Sequence, residues 1–380
     1  MNCRMWYQVA LYETIVAVAL SAPGRPAFGQ AADAVTAQQV IAAFRDRQNR
    51  VRSARFKWRE EHFVAKGAHS IPRSHASPGT EGVVFPDRDI TYTMESELSF
   101  DGAKMRYSYA GKNPDWKDSK LVFRDYTSAF DGDLCKILQE AEESRPYPKG
   151  TITNEKRSED VTTAAVMPIL CAFRFLHREM RPLHCDALRV AGEAKLRDRP
   201  CILLEEPPQD PPRYAKSSFW VDREREFSIL RWSLSSRQGI ALRQVDIDYA
   251  KDAKAGWVPV RWKSVRQAEG GQVQASWTAE VTEFTINPVL LASEFQLDFP
   301  AGTIVQDMRT GGGYIQREGG QKRMILASEF PATYEELAST ESGMAHASTA
   351  RRWAFGASIL VLFGVAVLLL VRRLRRRVAQ

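Results

Sequence analysis

Metal-ligating side chains occur in two groups. His69 and His75 lie six apart in a stretch rich in Gly, Pro and Ser, and Cys171, His177, His184 and Cys185 lie in or just after an apolar run. A zinc site draws three or four such ligands at a few recurring spacings. The first group has no third ligand nearby and the second matches no common framework, so the sequence points to no metal and no other cofactor. It also holds no GxSxG elbow, HExxH, P-loop or helix-opening GxGxxG. Asp101 and Asp131 each precede a glycine between apolar runs, where aspartate serves a hairpin turn by local hydrogen bonds rather than acid–base chemistry. The expectation is a binding protein and not an enzyme.

Two other residue sets stand out. Cys135, Cys171, Cys185 and Cys201 could form two disulfides in an oxidising compartment, with three pairings open. They could equally stay buried as free thiols, because more than 300 residues can bury a core without cross-links. The second set is aromatic: Phe56, Trp58, Tyr107, Tyr109, Phe219, Trp232, Trp262 and Trp277, spread over the strands of one expected sheet. Such a face either lines a cavity for an apolar ligand or fills a core beneath helices, the ordinary use of aromatic side chains.

The elements that position these residues follow from periodicity. Thr36-Ala-Gln-Gln39 is a capping box, and Val40, Ile41, Phe44 and Val51 share one face of a helix running to about Arg50. The period then falls to two, Phe56, Trp58 and Glu60 alternating with Lys57 and Arg59 on a strand with one half-buried face. Residues 66–88 read as a loop and strands resume at Ile90. Asp101-Gly102 and Asp131-Gly132 turn two hairpins, one carrying Met105, Tyr107 and Tyr109 on one face, the other joining Leu121–Phe130 to Leu134–Leu138. After a polar stretch at 140–160 a second helix starts near Met167, with Pro168 in its first turn and Ile169, Leu170, Phe173 and Leu176 on it. Leu188 to Ile286 is strand and short turn without a helix, hence an antiparallel meander. Phe295–Phe299 and Thr303–Asp307 are the last extended segments. The fold class is mainly β.

The ends of the chain assign its compartment. Trp353–Val371 is nineteen residues without a charge, about 28 Å as a helix, the length of a membrane span. Arg372, Arg373, Arg375, Arg376 and Arg377 follow it against Arg351 and Arg352 before it, which places the C-terminal tail in the cytoplasm and the preceding residues outside. That orientation disfavours a cytosolic tail-anchored protein and calls for a signal peptide, matched imperfectly by Arg4, the apolar Ile15–Ala22 and small residues at Ala27, Gly29 and Ala31. The expected organisation is a signal peptide over 1–31, an extracytoplasmic domain over 32–325, a polar stalk over 326–352, a transmembrane helix over 353–371 and a basic tail over 372–380. A cleaved sorting segment is the alternative for the last two. The seven arginines of residues 351–380 account for the whole formal charge of +7, leaving residues 1–350 neutral. No nucleic-acid partner is expected; the tail suits anionic lipid headgroups of the cytoplasmic membrane.

The run Pro168-Ile-Leu-Cys-Ala-Phe-Arg-Phe-Leu176, the hairpin Phe219-Trp-Val-Asp-Arg223 with Ile229-Leu-Arg231, the strand Trp257-Val-Pro-Val-Arg-Trp262, and the ending Phe284-Thr-Ile-Asn-Pro288 through Phe295-Gln-Leu-Asp-Phe-Pro-Ala-Gly-Thr303 come in a telling order. In that order and spacing, over roughly residues 35 to 310, the chain resembles the outer-membrane lipoprotein-sorting (LolA/LolB-like) family, in particular its large envelope branches. The resemblance implies a curved antiparallel sheet, a half-open β-barrel with a few covering helices, whose concave side takes acyl chains of lipid or lipoprotein in the periplasm. The C-terminal span departs from the soluble shuttles of that family. Relatives that bind anti-sigma factors imply an alternative, an envelope-sensing module acting through a transmembrane partner of unknown identity.

Overall fold

The computed structural model describes residues 35–70, 84–115, 119–143, 145–153, 165–175, 188–206, 216–236, 239–268, 270–326, 329 and 333–339, all within one unit, Val35–Gln380. Helix α1 (Ala37–Arg50) opens on the expected capping box: the Gln39 amide donates to Thr36 Oγ1 at 3.2 Å and the Thr36 amide to Gln39 Oε1 at 2.8 Å. Its buried face carries Val40, Phe44 and Arg47.

Strand β1 (Ser53–Val64) follows, then a two-residue ladder of β2 (His69–Ser70) and β3 (Val84–Phe85) inside the stretch expected to be loop. Just beyond that ladder the Gly67 amide donates to the Pro86 carbonyl at 2.8 Å. Next come β4 (Ile90–Asp101), β5 (Lys104–Pro114), β6 (Leu121–Phe130), β7 (Cys135–Gln139) and β8 (Lys149–Thr153), with Asp101-Gly102 and Asp131-Gly132 at hairpin turns as read from the sequence. Helix α2 (Met167–Phe173) starts at the expected residue with Pro168 in its first turn. The meander is β9 (Arg189–Leu196), β10 (Arg199–Glu206), β11 (Lys216–Asp222), β12 (Ser228–Ser235), β13 (Ala241–Asp252), β14 (Gly256–Gln267) and β15 (Val273–Ile286). β16 (Ile304–Asp307), β17 (Gly312–Gln316), β18 (Lys322–Ile325) and α3 (Tyr334–Ser339) complete it.

All strands but β2 and β3 form one sheet in the order β18-β17-β16-β8-β7-β6-β5-β4-β1-β15-β14-β13-β12-β11-β10-β9. β1 is the seam between two meanders, pairing antiparallel with β4 through Trp58↔Ser96 and with β15 through His62↔Trp277. The sheet curls around α2. Phe173 at the helix end stacks on Phe56 of β1 at 5.9 Å, while Phe175 just beyond meets Phe219 of β11, five strands away, at 5.7 Å. All seven α2 residues are buried, because the helix has α1 on one side and the concave sheet on the other.

Thr303–Asp307 is not the last extended segment, since β17 and β18 follow it, and Phe295–Phe299 forms no strand, Phe295 closing a 3-10 turn. Three further features depart from the sequence reading. Strand β8 lies in the stretch read only as polar; its one large apolar residue, Ile152, packs outward with Val305 and Tyr314. β16 pairs with β8 in parallel, the exception to an otherwise antiparallel sheet. It is parallel because the chain leaves β15 and crosses the convex face before reaching the opposite flank: Arg106 donates to the Glu294 carbonyl at 3.3 Å and Lys136 Nζ to the Leu297 carbonyl at 3.0 Å. Finally, the span expected as a stalk from residue 326 contains α3, whose Leu337 is buried against Ile315 and Ile325, with Tyr334 stacked on Tyr147 at 4.4 Å.

Among the described residues no helix is long and apolar enough to cross a membrane. The expected signal peptide, the span 353–371 and Arg372, Arg373, Arg375, Arg376 and Arg377 lie outside the described residues.

Candidate functional site

Side chains directly opposite in a ladder share a face, and every second residue returns to it. By that rule the register brings all eight aromatic candidates to the concave face. On β1 and its β4 side, Phe56↔Leu98↔Tyr107 and Trp58↔Ser96↔Tyr109 run outward as rows. On the other side, Ala279↔Trp262 and Trp277↔Ser264↔Val245↔Trp232↔Phe219 cross five strands.

Six of the eight, Phe56, Trp58, Tyr107, Phe219, Trp232 and Trp262, are buried in the main core with α1 and α2, whereas Tyr109 and Trp277 are half-buried. Trp58 packs on Trp262 with ring centroids 5.6 Å apart and on Tyr107 at 6.1 Å. Tyr109 stacks on Tyr126 at 4.9 Å, beside a cavity of about 50 Å³ walled by Arg124, Glu142 and Arg145, room for little more than solvent.

Polarity is graded along the strands. On β1 and its neighbours the end nearest α2, around Phe56 and Leu98, is apolar. Two residues further along β1 from Trp58 stands Glu60, fully buried and held from three sides: Trp58 Nε1–H donates to Oε1 at 2.6 Å, Ser96 Oγ–H to the same oxygen at 2.8 Å, and His62 Nε2 lies 2.6 Å from Oε2. His62 is sandwiched between Tyr92 at 4.8 Å and Trp277 at 6.0 Å. Burial first and the Glu60 charge second push the Tyr92 phenol up to about 12 and the Tyr107 phenol well above its ordinary value. One row further, Arg243 on β13 lies directly opposite Arg266 on β14, and the Arg243 guanidinium sits 5.8 Å from the Trp277 ring. Burial and the neighbouring Arg243 lower the Arg266 pKa.

Hydrogen bonding on this face is incomplete. Trp58 has an acceptor in Glu60, but the indole nitrogens of Trp232, Trp262 and Trp277 and the Ser264 hydroxyl are buried with no hydrogen-bond partner in the chain. An unsatisfied buried donor costs about 1–3 kcal/mol, so four in neighbouring positions are a departure from normal core construction.

The helical cover is fastened by two buried arginines. Arg174, next after α2, donates to the carbonyls of Val51 (2.8 Å), Phe173 (2.8 Å), Gly102 (3.2 Å) and Arg52, and lies 4.1 Å from the Phe100 ring centroid. Arg47 of α1 donates to the Ala172 carbonyl at 3.4 Å and to that of Glu226.

Cys135, Cys171 and Cys201 are buried and not joined to one another by disulfides, and burial pushes the Cys201 thiol up. Cys185 lies outside the described residues, as do His75, His177 and His184. Among the described residues no three His, Cys, Asp or Glu side chains come together as a metal site. The sequence reading missed the roles of Glu60, His62, Tyr92, Ser264, Arg243 and Arg266. For Glu60 and His62 a signal existed, because they continue the inward alternation of Phe56 and Trp58 with a charged and a titratable side chain.

No family model matches the chain, and no curated protein matches it. Among solved structures it is similar to a DUF1329 family protein from Desulfovibrio piger (TM-score 0.42, 10% identity, covering 68% of this chain and 95% of that one). It is similar also to an outer membrane lipoprotein-sorting protein domain from Vibrio parahaemolyticus (0.41, 11%, 68% and 97%) and to a LolA superfamily protein from Nitrosomonas europaea (0.38, 13%, 70% and 100%). The last two carry the names of the family that the sequence resembles.

Proposed function

We propose that this chain is an extracytoplasmic binding protein for lipid, lipoprotein or another amphiphile, tethered to the cytoplasmic membrane by residues 353–371, and that it works by binding rather than by catalysis. The observation that carries the reading is the concave face: eight aromatic side chains from both meanders lie on one curved surface that grades from apolar beneath α2 to hydrogen-bonding and then cationic at its far end. An amphiphile has the same order from tail to headgroup. Its chains would lie along the aromatic rows, with α2 as the cover they slide beneath, and its polar end would face Arg243 and Arg266.

The test uses the full chain in detergent and a pyrene-labelled diacyl lipid, read by energy transfer from the tryptophans. Binding should quench the indole emission saturably, and Trp232→Arg or Trp262→Arg should abolish it while circular dichroism stays unchanged. Absence of transfer in the wild-type protein would leave the aromatics as plain core. Protease access to the C-terminal tail in sealed vesicles checks the orientation set by the arginine cluster.

A further inference from the structure

Three donors and a hydroxyl without partners, on a face otherwise well packed, define what the ligand must carry. Indole N–H is a donor only, so Trp232, Trp262 and Trp277 require acceptor oxygens from whatever reaches them. The register places them close together: Trp277 is directly opposite Ser264, Trp262 is two residues from Ser264 on the same strand, and Trp232 follows two strands beyond Ser264 in the same row. Trp262 and Ser264 are fully buried and Trp232 nearly so.

Resting on the amphiphile reading above, we propose that the ligand is recognised through carboxylic ester groups, whose carbonyl oxygens accept from these indoles and from the Ser264 hydroxyl. The position along the strands agrees. From Phe56 to His62 is about 20 Å of strand, and the donor rows, at Glu60 and His62, fall between the apolar rows and the Arg243–Arg266 row. Ester groups occupy the same place between acyl chains and headgroup.

The alternatives fit worse. A hydrocarbon offers no acceptor at all. A free carboxylate at the indoles would approach the buried Glu60 charge, since Glu60 is bonded to Trp58 and Trp58 packs on Trp262. An amide brings an N–H of its own to a cluster that already has too many donors. Esters on glycerol occur both in free glycerolipids and in diacylglyceryl-modified proteins; these share the chemistry.

The experiment displaces the pyrene lipid from the full chain with four unlabelled competitors: a dioleoyl glycerol, its dialkyl ether analogue with the same chain length, a diacylglyceryl-cysteine peptide and the ether analogue of that peptide. Esters should compete at least about tenfold better than ethers, and the ester that gains most identifies the source. Trp277→Phe and Ser264→Ala, singly and together with Trp262→Phe, retain bulk while removing donors, and should bring ester and ether competitors together. Because the buried Trp262→Phe could disturb folding, the infrared carbonyl stretch of a ¹³C-ester lipid bound to the wild-type protein gives a second readout, expected at lower frequency than in detergent. Equal competition by esters and ethers, with an unshifted stretch, would overturn the inference and leave lipid binding standing. Failure of every competitor to displace, or of the probe to bind, would overturn the amphiphile reading itself.

Discussion

Replacing Arg174 by methionine tests how the helical cover is held. The guanidinium is almost fully buried, and burial, opposed by the Asp101 charge, lowers its pKa to about 10, a net cost of about 3 kcal/mol to the charged form that methionine would not bear. Against this stand four hydrogen bonds to carbonyls, each worth roughly 1.5–3 kcal/mol from a charged donor, and a close guanidinium–ring contact with Phe100. Val51, Arg52 and Gly102 would lose an acceptor's partner where α1 meets β1 and where β4 turns into β5. The sum favours the native residue, and we expect Arg174→Met to destabilise the domain by about 3–5 kcal/mol, the range for removing one side of a buried charged network. Urea unfolding of the full chain, followed by indole fluorescence and circular dichroism, measures it. A loss below about 1 kcal/mol, or a gain, would refute the reasoning, since it would mean that the carbonyls find other donors at no cost. If the fold survives, the loosened α2 should also speed uptake of the pyrene lipid.

Two further outcomes are expected. At Gly150 a Cβ would lie 2.8 Å from Phe299 Cε1 and 3.0 Å from Val305 Cγ2, so Gly150→Ala should cost about 1–3 kcal/mol in urea unfolding, relieved by Phe299→Leu. Tyr92, Tyr107 and Tyr249 should resist ionisation in an alkaline titration followed by phenolate absorbance, because burial raises all three. The folded Tyr92 phenol keeps its proton to about 12 whereas the unfolded one loses it near 10, so its contribution is complete below pH 10 and is lost between pH 10 and 12.

Much of this architecture is legible in local chemistry. Thr36 and Gln39 mark the first helix to the residue, Asp-Gly pairs mark two hairpins, Pro168 marks the start of α2, and alternation from Val273 to Ile286 marks β15. What escapes are elements defined by distant partners. β8 has one large apolar residue, and only pairing with β7 on one side and β16 on the other makes Lys149–Thr153 a strand. α3 is six residues with few apolar side chains, fixed by Leu337 and Tyr334 docking on surfaces built elsewhere. The aromatic set was readable as a face because its spacing is local, but its polar neighbours were not. Glu60, Ser96 and His62 acquire meaning only when β1 and β4 are placed side by side, and the unpaired donors only when β12, β14 and β15 share one face.

The place of β1 at the seam also sets an order of events in time. Each meander, β4 to β8 and β9 to β15, consists of neighbours along the chain and can pair as soon as its own residues are present, whereas β1 waits for Ala54 to meet Ile286. The first strand to leave the ribosome is therefore among the last to be completed, and the β8–β16 junction waits longer still. Until about residue 300 has emerged, two half-sheets carry exposed aromatic faces with no shared core, and slow, late-committing folding of this kind is where holding factors act.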